Sequence, residues 1–124
     1  MLLNPEVFED HLAQATPGGV REAFLAFAHA EYPGGLTARA TSNGFKAQEL
    51  RIERGETWYF SAVLHADWVL WYFRKPAFRD GLVDPEDVED TFPAAHVTPK
   101  GEISLRVTDA ATAAQVIATL SAPR

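Results

Sequence analysis

The chain predicts an α+β fold: an antiparallel sheet of about five strands with N- and C-terminal helices on one face. Three observations carry this. Helical periodicity occupies the two ends of the chain. Runs that alternate apolar and polar residues fill the middle. Between residues 56 and 76 lie all three tryptophans (Trp58, Trp68, Trp71) with Tyr59, Tyr72, Phe60 and Phe73, in two adjacent β-like runs. Strands that cluster while helices sit apart mark an α+β fold, not an alternating α/β one. At 124 residues the chain reads as a single domain over 1–124.

Asn4-Pro5-Glu6 opens a first helix, with Asn as cap, Pro at the first helical position and acids at the positive end of the dipole. Phe8, Leu12 and Ala15 follow at helical spacing. Thr16-Pro17-Gly18-Gly19 separates it from a second helix, striped by Val20, Ala23, Phe24, Phe27 and Ala28 and ended by Pro33-Gly34-Gly35. Leu36 to Thr41 alternates as a half-buried strand. Asn43-Gly44 is a hairpin signal, because both residues tolerate the positive φ of a type I′ turn. The return strand runs from Phe45 to Glu53 and offers Leu50 and Ile52 to the core. Arg54-Gly55-Glu56 turns into the aromatic strands Trp58–Leu64 and Trp68–Phe73, joined at His65-Ala66-Asp67. Asp84-Pro85-Glu86 starts a short helix over Pro85–Thr91 with Val88 and Phe92 inward. Ile103 to Val107 alternates as a fifth strand. Thr108 or Asp109 caps a last helix, Ala110 to Leu120, striped by Ala113, Val116, Ile117 and Leu120. The predicted order is ααββββ(α)βα.

Composition narrows function. Hydrophobic residues make up 47% and charged residues 23% of the chain, as in ordinary soluble domains. There is no cysteine, which excludes disulfides, zinc–thiolate sites and cysteine nucleophiles. No apolar run reaches membrane-spanning length. The start, MLLNPEVFEDHL, lacks the basic opening and apolar core of a signal peptide, so a cytoplasmic protein is expected. The net charge of −6 opposes broad nonspecific nucleic-acid binding. It is unevenly spread: residues 39–79 are net basic between two acidic flanks.

The aromatic hairpin is the first candidate for function. Strand parity with a turn at His65-Ala66-Asp67 gives it two apolar faces. Either both are core, the ordinary fate of aromatic-rich strands, or the helices cover only one. In the second case Tyr59, Val63, Trp71 and Phe73 form an exposed platform for a protein, for a second copy of the chain, or for stacked bases. Arg39, Lys46, Arg51, Arg54, Arg74 and Lys75 lie in the same sheet region and would serve as nucleic-acid contacts if they share the platform's face. The second candidate is the acidic run Asp80, Asp84, Glu86, Asp87, Glu89 and Asp90. It reads as a solvated helix face, or as a patch that docks a protein partner with a basic surface.

Catalytic patterns are sparse. His65 and Asp67 share the hairpin turn, but two residues do not make a metal site, and His11, His29 and His96 are distant in sequence; Asp67 is expected to serve the turn. Ser61 and His65 lie four strand positions apart, roughly 13 Å, too far for a triad. No acid-x-Lys nuclease element, phosphate-binding loop, His-Glu-x-x-His or Gly-x-Ser-x-Gly is present. No catalytic residue, metal or cofactor is therefore expected.

The strand ending Leu70-Trp71-Tyr72-Phe73-Arg74, the acidic connector after it, and Gly101-Glu102-Ile103-Ser104-Leu105-Arg106-Val107 with its closing helix resemble a small bacterial α+β domain of unknown function, found alone or appended to nuclease-like proteins. The resemblance covers about the second half of the chain and implies a nucleic-acid-related or defence-related context, with no functional residue carried over. Together these readings predict a small non-enzymatic protein-interaction module, an acidic inhibitor or regulator in a bacterial or phage defence or anti-defence setting. The alternative is a nucleic-acid-binding accessory domain that uses an aromatic sheet face.

Overall fold

A computed structural model describes residues 2–42 and 48–122. The Asn43-Gly44 hairpin signal and Lys46 lie outside the described residues. The elements in chain order are β1 (Leu2–Leu3), α1 (Pro5–Ala13), α2 (Gly19–His29), a 3-10 turn (Pro33–Gly35), β2 (Thr37–Ser42), β3 (Gln48–Arg54), β4 (Thr57–Leu64), β5 (Val69–Phe73), α3 (Lys75–Arg79), α4 (Pro85–Thr91), β6 (His96–Val97), β7 (Ile103–Val107) and α5 (Ala110–Ala118).

The fold is α+β, with a seven-stranded mixed sheet in the order β1-β2-β3-β4-β5-β7-β6. β1 runs parallel to β2; the remaining pairs are antiparallel. The five expected strands are all present. The two additional ones are the two-residue edge strands β1 and β6, too short to carry an alternation signal, and β1 makes the sheet mixed. Helix α3 is a further addition, a single turn packed on β4.

One face of the sheet is the core. Cross-strand register sets Ala38 opposite Ile52, Ile52 opposite Phe60, Phe60 opposite Phe73 and Phe73 opposite Ile103. The neighbouring row runs Ala40, Leu50, Ala62, Trp71, Leu105. The helices bring Phe8, Leu12, Phe24, Phe27, Ala77, Val88 and Val116 into the same cluster. Trp71 lies at its centre, fully buried, stacked on Phe27 at 4.5 Å and on Phe60 at 5.3 Å between ring centroids. Offset aromatic pairs add to plain area burial.

Local chemistry fixes the helix ends. Asp84 accepts from the Glu86 amide at 2.8 Å and Asp109 from the Thr112 amide at 2.7 Å, each satisfying an orphan donor. Asn4 differs from expectation. It adopts φ 57° and makes no side-chain cap; its amide instead donates to the Ala40 carbonyl at 3.1 Å, tying the start of α1 to β2. Gly19 opens α2 directly against the Thr108 carbonyl, where any Cβ would collide with backbone. A glycine there lets α2 and α5 pack closely.

Candidate functional site

Among the described residues, the helices place their buried apolar side chains in one cluster, which leaves the opposite sheet face without a helical cover. Its layout follows from register. One row reads Thr41, Glu49, Val63, Leu70, Arg106; the next reads Arg39, Arg51, Ser61, Tyr72, Ser104, His96; a third sets Glu53 opposite Trp58.

This is not the face that sequence parity predicts. Trp71 and Phe73 are fully buried and Tyr59 is 5% exposed, so the expected platform is not a surface, and neither a partner nor a second copy reaches it. Of the four residues expected there, only Val63 lies on the open face. Two shifts account for the difference. The β4–β5 turn has four residues, His65 to Trp68, closed by the His65 amide donating to the Trp68 carbonyl at 2.9 Å. Leu64 therefore pairs with Val69, and one residue of register exchanges the two faces of a strand. A bulge between β3 and β4 then pairs Ile52 with Phe60 but Glu53 with Trp58. The extra residue turns Trp58 outward and Tyr59 inward, where its hydroxyl donates to Asp80 Oδ2 at 2.7 Å.

Trp58 lies on the open face at the start of β4. The guanidinium carbons of Arg51 and Arg74 lie 3.8 and 3.7 Å from its ring centroid. Two planar groups this close to one centroid cannot share a side, so the indole is sandwiched between them, with one cation on each π face. The indole N–H donates to the Phe60 carbonyl at 2.8 Å and to Ser61 Oγ at 3.0 Å. Ser61 donates to Glu49 Oε2 at 3.3 Å, and Arg51 Nε donates to Glu49 Oε1 at 2.8 Å. The interactions close a ring: Arg51, Glu49, Ser61, Trp58. Glu49 is buried, and a buried carboxylate needs a cation and hydrogen-bond donors of this kind. Arg74 also donates to the Trp58 carbonyl and faces Glu102 at 3.5 Å. Burial lowers the Arg74 pKa, against the pull of Glu102. Burial raises the Tyr72 phenol, helped by the charges of Glu102 and Glu49. Arg39 binds Glu53 through two nitrogens, at 2.7 and 3.2 Å, and that hydrogen bond raises its pKa.

Of the residues expected to contact nucleic acid, Arg39, Arg51 and Arg74 do share this face; Arg54 and Lys75 are exposed at strand and helix ends. The acidic run divides. Asp80 is held by Tyr59 and by two Arg79 nitrogens, and Asp84 caps α4. Glu86, Asp87, Glu89 and Asp90 are exposed on α4. His65 and Asp67 are exposed in the turn. His65 lines a cleft of ≈ 550 Å³ with Trp68, Leu70, Ala94, His96, Ser104 and Arg106; Asp67 does not. Among the described residues no three His, Asp or Glu side chains gather closely enough to hold a metal ion, and no helix is long and apolar enough to cross a membrane.

Fold and face together define a class: an α+β domain with one sheet face under helices and the other bare. Comparison with protein-family models, with curated proteins and with solved structures finds no match to this chain.

Proposed function

We propose that this is a non-enzymatic protein-binding module whose bare sheet face is the binding surface. The observation that carries the reading is the Arg51–Trp58–Arg74 sandwich beside Tyr72, on the face that no helix covers among the described residues. Trp, Tyr and Arg are the residue types that dominate binding hot spots. Trp58, Arg51 and Arg74 are fixed by their own ion pairs and hydrogen bonds, so little of their side-chain freedom remains to be lost on binding. Four arginines (39, 51, 74, 106) against three glutamates (49, 53, 102) make this face basic in an acidic protein, so it suits a flat partner surface with spare carboxylates. Nucleic acid is the less favoured ligand. Both π faces of Trp58 are taken by guanidinium groups, which removes the best stacking platform, and the net charge of −6 repels phosphate. An inhibitor or regulator in a bacterial or phage defence or anti-defence setting is the context that the family resemblance adds.

The test is a quantitative pull-down from the native host with wild type, Tyr72→Ala, and a fourfold variant with Asn or Gln at Glu86, Asp87, Glu89 and Asp90. Proteins lost with Tyr72→Ala and kept by the α4 variant support the sheet face. Loss only with the α4 variant would transfer the function to the acidic helix. A saturable shift of labelled nucleic acid that depends on Arg39 and Arg74 would favour the alternative.

A further inference from the structure

We infer that the cleft between the β4–β5 turn and β6 binds a small organic anion: a carboxylate or phosphate group on an apolar body. The inference goes beyond the protein-binding reading, because it requires no partner protein and concerns the end of the sheet face away from Trp58.

The polar lining is of one kind. Arg106, Ser104, His65 and His96 border the cleft, and among the described residues no carboxylate does. Among the described residues, none of these four side chains hydrogen-bonds or ion-pairs with another. The other three arginines of the face are all spoken for, Arg39 by Glu53, Arg51 by Glu49 and Arg74 by Glu102. Arg106 is the guanidinium without an internal carboxylate, and it is held in place: its carbon lies 4.1 Å from the Trp68 ring centroid. Stacking on an indole restrains a long side chain while leaving its N–H edge free, the arrangement that recognises an oxyanion through two parallel bonds. Beneath it lies the Trp68 indole, whose Nε1 is buried with no acceptor among the described residues, so its resonance reports on the guanidinium stacked above it. Leu70 supplies apolar surface beside them.

The chain achieves this through β6. Pairing of β6 with β7 sets His96 opposite Ser104, and pairing of β7 with β5 sets Arg106 opposite Leu70. Residues 31 positions apart, His65 and His96, thereby border one cleft. At ≈ 550 Å³ it falls within the range of small-molecule sites, about 300–1,000 Å³. Inorganic phosphate alone would leave most of it unfilled.

The experiment is an NMR titration of the full ¹⁵N-labelled chain with phenyl phosphate, benzoate, inorganic phosphate and the neutral benzyl alcohol. Phenyl phosphate, benzoate or both should move the Trp68 indole N–H resonance saturably while the Trp71 resonance stays. Whichever of the two binds more tightly identifies the oxyanion. Arg106→Gln should weaken binding by about tenfold or more, as expected for losing a charged hydrogen-bonding partner. Ser104→Ala should weaken it less, and Arg39→Gln not at all. No saturable shift with either anion overturns the inference. So does an equal response to benzyl alcohol, equal weakening by Arg39→Gln, or unchanged affinity in both cleft variants. Inorganic phosphate binding as tightly as phenyl phosphate overturns the apolar body.

Discussion

Replacing Trp71 with alanine and with phenylalanine tests where the core of this protein lies. Trp71 is fully buried, stacked between Phe27 and Phe60, with Phe73 edge-on at 6.0 Å. Trp71→Ala removes the indole from a closed cluster and should cost about 3–5 kcal/mol. That is a large part of the about 5–15 kcal/mol that holds a domain folded. Trp71→Phe sets two terms against each other. It forfeits the packing of the indole's five-membered ring, about 1–2 kcal/mol by the burial of a few carbons. It also deletes a buried N–H that has no acceptor among the described residues, a group whose desolvation costs about 1–3 kcal/mol. The terms nearly cancel, and Trp71→Phe should lie within about 1 kcal/mol of wild type. Urea titration followed by far-UV circular dichroism avoids the altered tryptophan fluorescence. With a slope of about 2 kcal/mol per molar, the alanine variant should lower the midpoint by about 2 M and the phenylalanine variant by less than about 0.5 M. If alanine changes the midpoint no more than an ordinary surface substitution, Trp71 is not core and the sheet faces are assigned wrongly. If phenylalanine falls as far as alanine, the indole N–H is not a burden and the cancellation is refuted.

Three further outcomes follow from the same geometry. Glu49→Ala opens the ring around Trp58 and leaves Arg51 and Ser61 without their acceptor; it should cost about 1–3 kcal/mol, whereas Glu53→Ala at the more open Arg39 pair should cost less than about 1 kcal/mol. Thermal melts that rank the two in reverse would contradict the burial of Glu49. Tyr59→Phe removes the bond to Asp80, which raises the phenol's pKa above the ordinary 10.0. A raised value means the stabilisation is complete below 10.0 and is lost as pH rises through the folded value, so the stability gap between wild type and variant should hold to pH 10.0 and close above it; a gap that widens there would be inconsistent with the assignment. Gly19→Ala improves helix propensity by about 1 kcal/mol, yet its Cβ meets the Thr108 carbonyl. Overpacking of about 1–3 kcal/mol should prevail, and a raised melting temperature would show that α2 and α5 have slack between them.

Much of the fold was legible because its signals are local. The cap at Asp84, the Phe24–Phe27–Ala28 stripe and the alternation of Ile103 to Val107 each lie within one element and each formed as expected, and of the two caps offered for the last helix, Thr108 and Asp109, it is Asp109 that caps. The binding face was not legible, because it depends on relations between strands. Parity within β4 and β5 is visible in the sequence; the number of turn residues that couples them is not. A three-residue turn sets Trp71 and Phe73 outside and Leu70 and Tyr72 inside; the four-residue turn reverses them. The bulge at Trp58–Tyr59 carries no residue type that announces it. Glu49, Ser61 and Glu102 gave no signal of a shared network, since they come from three strands or their ends. The arginines were legible as a group, and their sharing of one face was the condition that register alone could decide.

The two-residue strands β1 and β6 have a consequence of their own. A sheet's outermost strand normally offers a row of unpaired amides and carbonyls to any other extended chain. Here the outermost strands are each only two residues long, so a strand added to either would find a template too short to hold it. Leu3 and Val97, 39% and 47% exposed, are the large apolar residues left at those borders, one on each. Among the described residues β7 runs past β6 from Leu105 to Val107, so what that side presents to an added strand lies on β7 and not on the outermost strand.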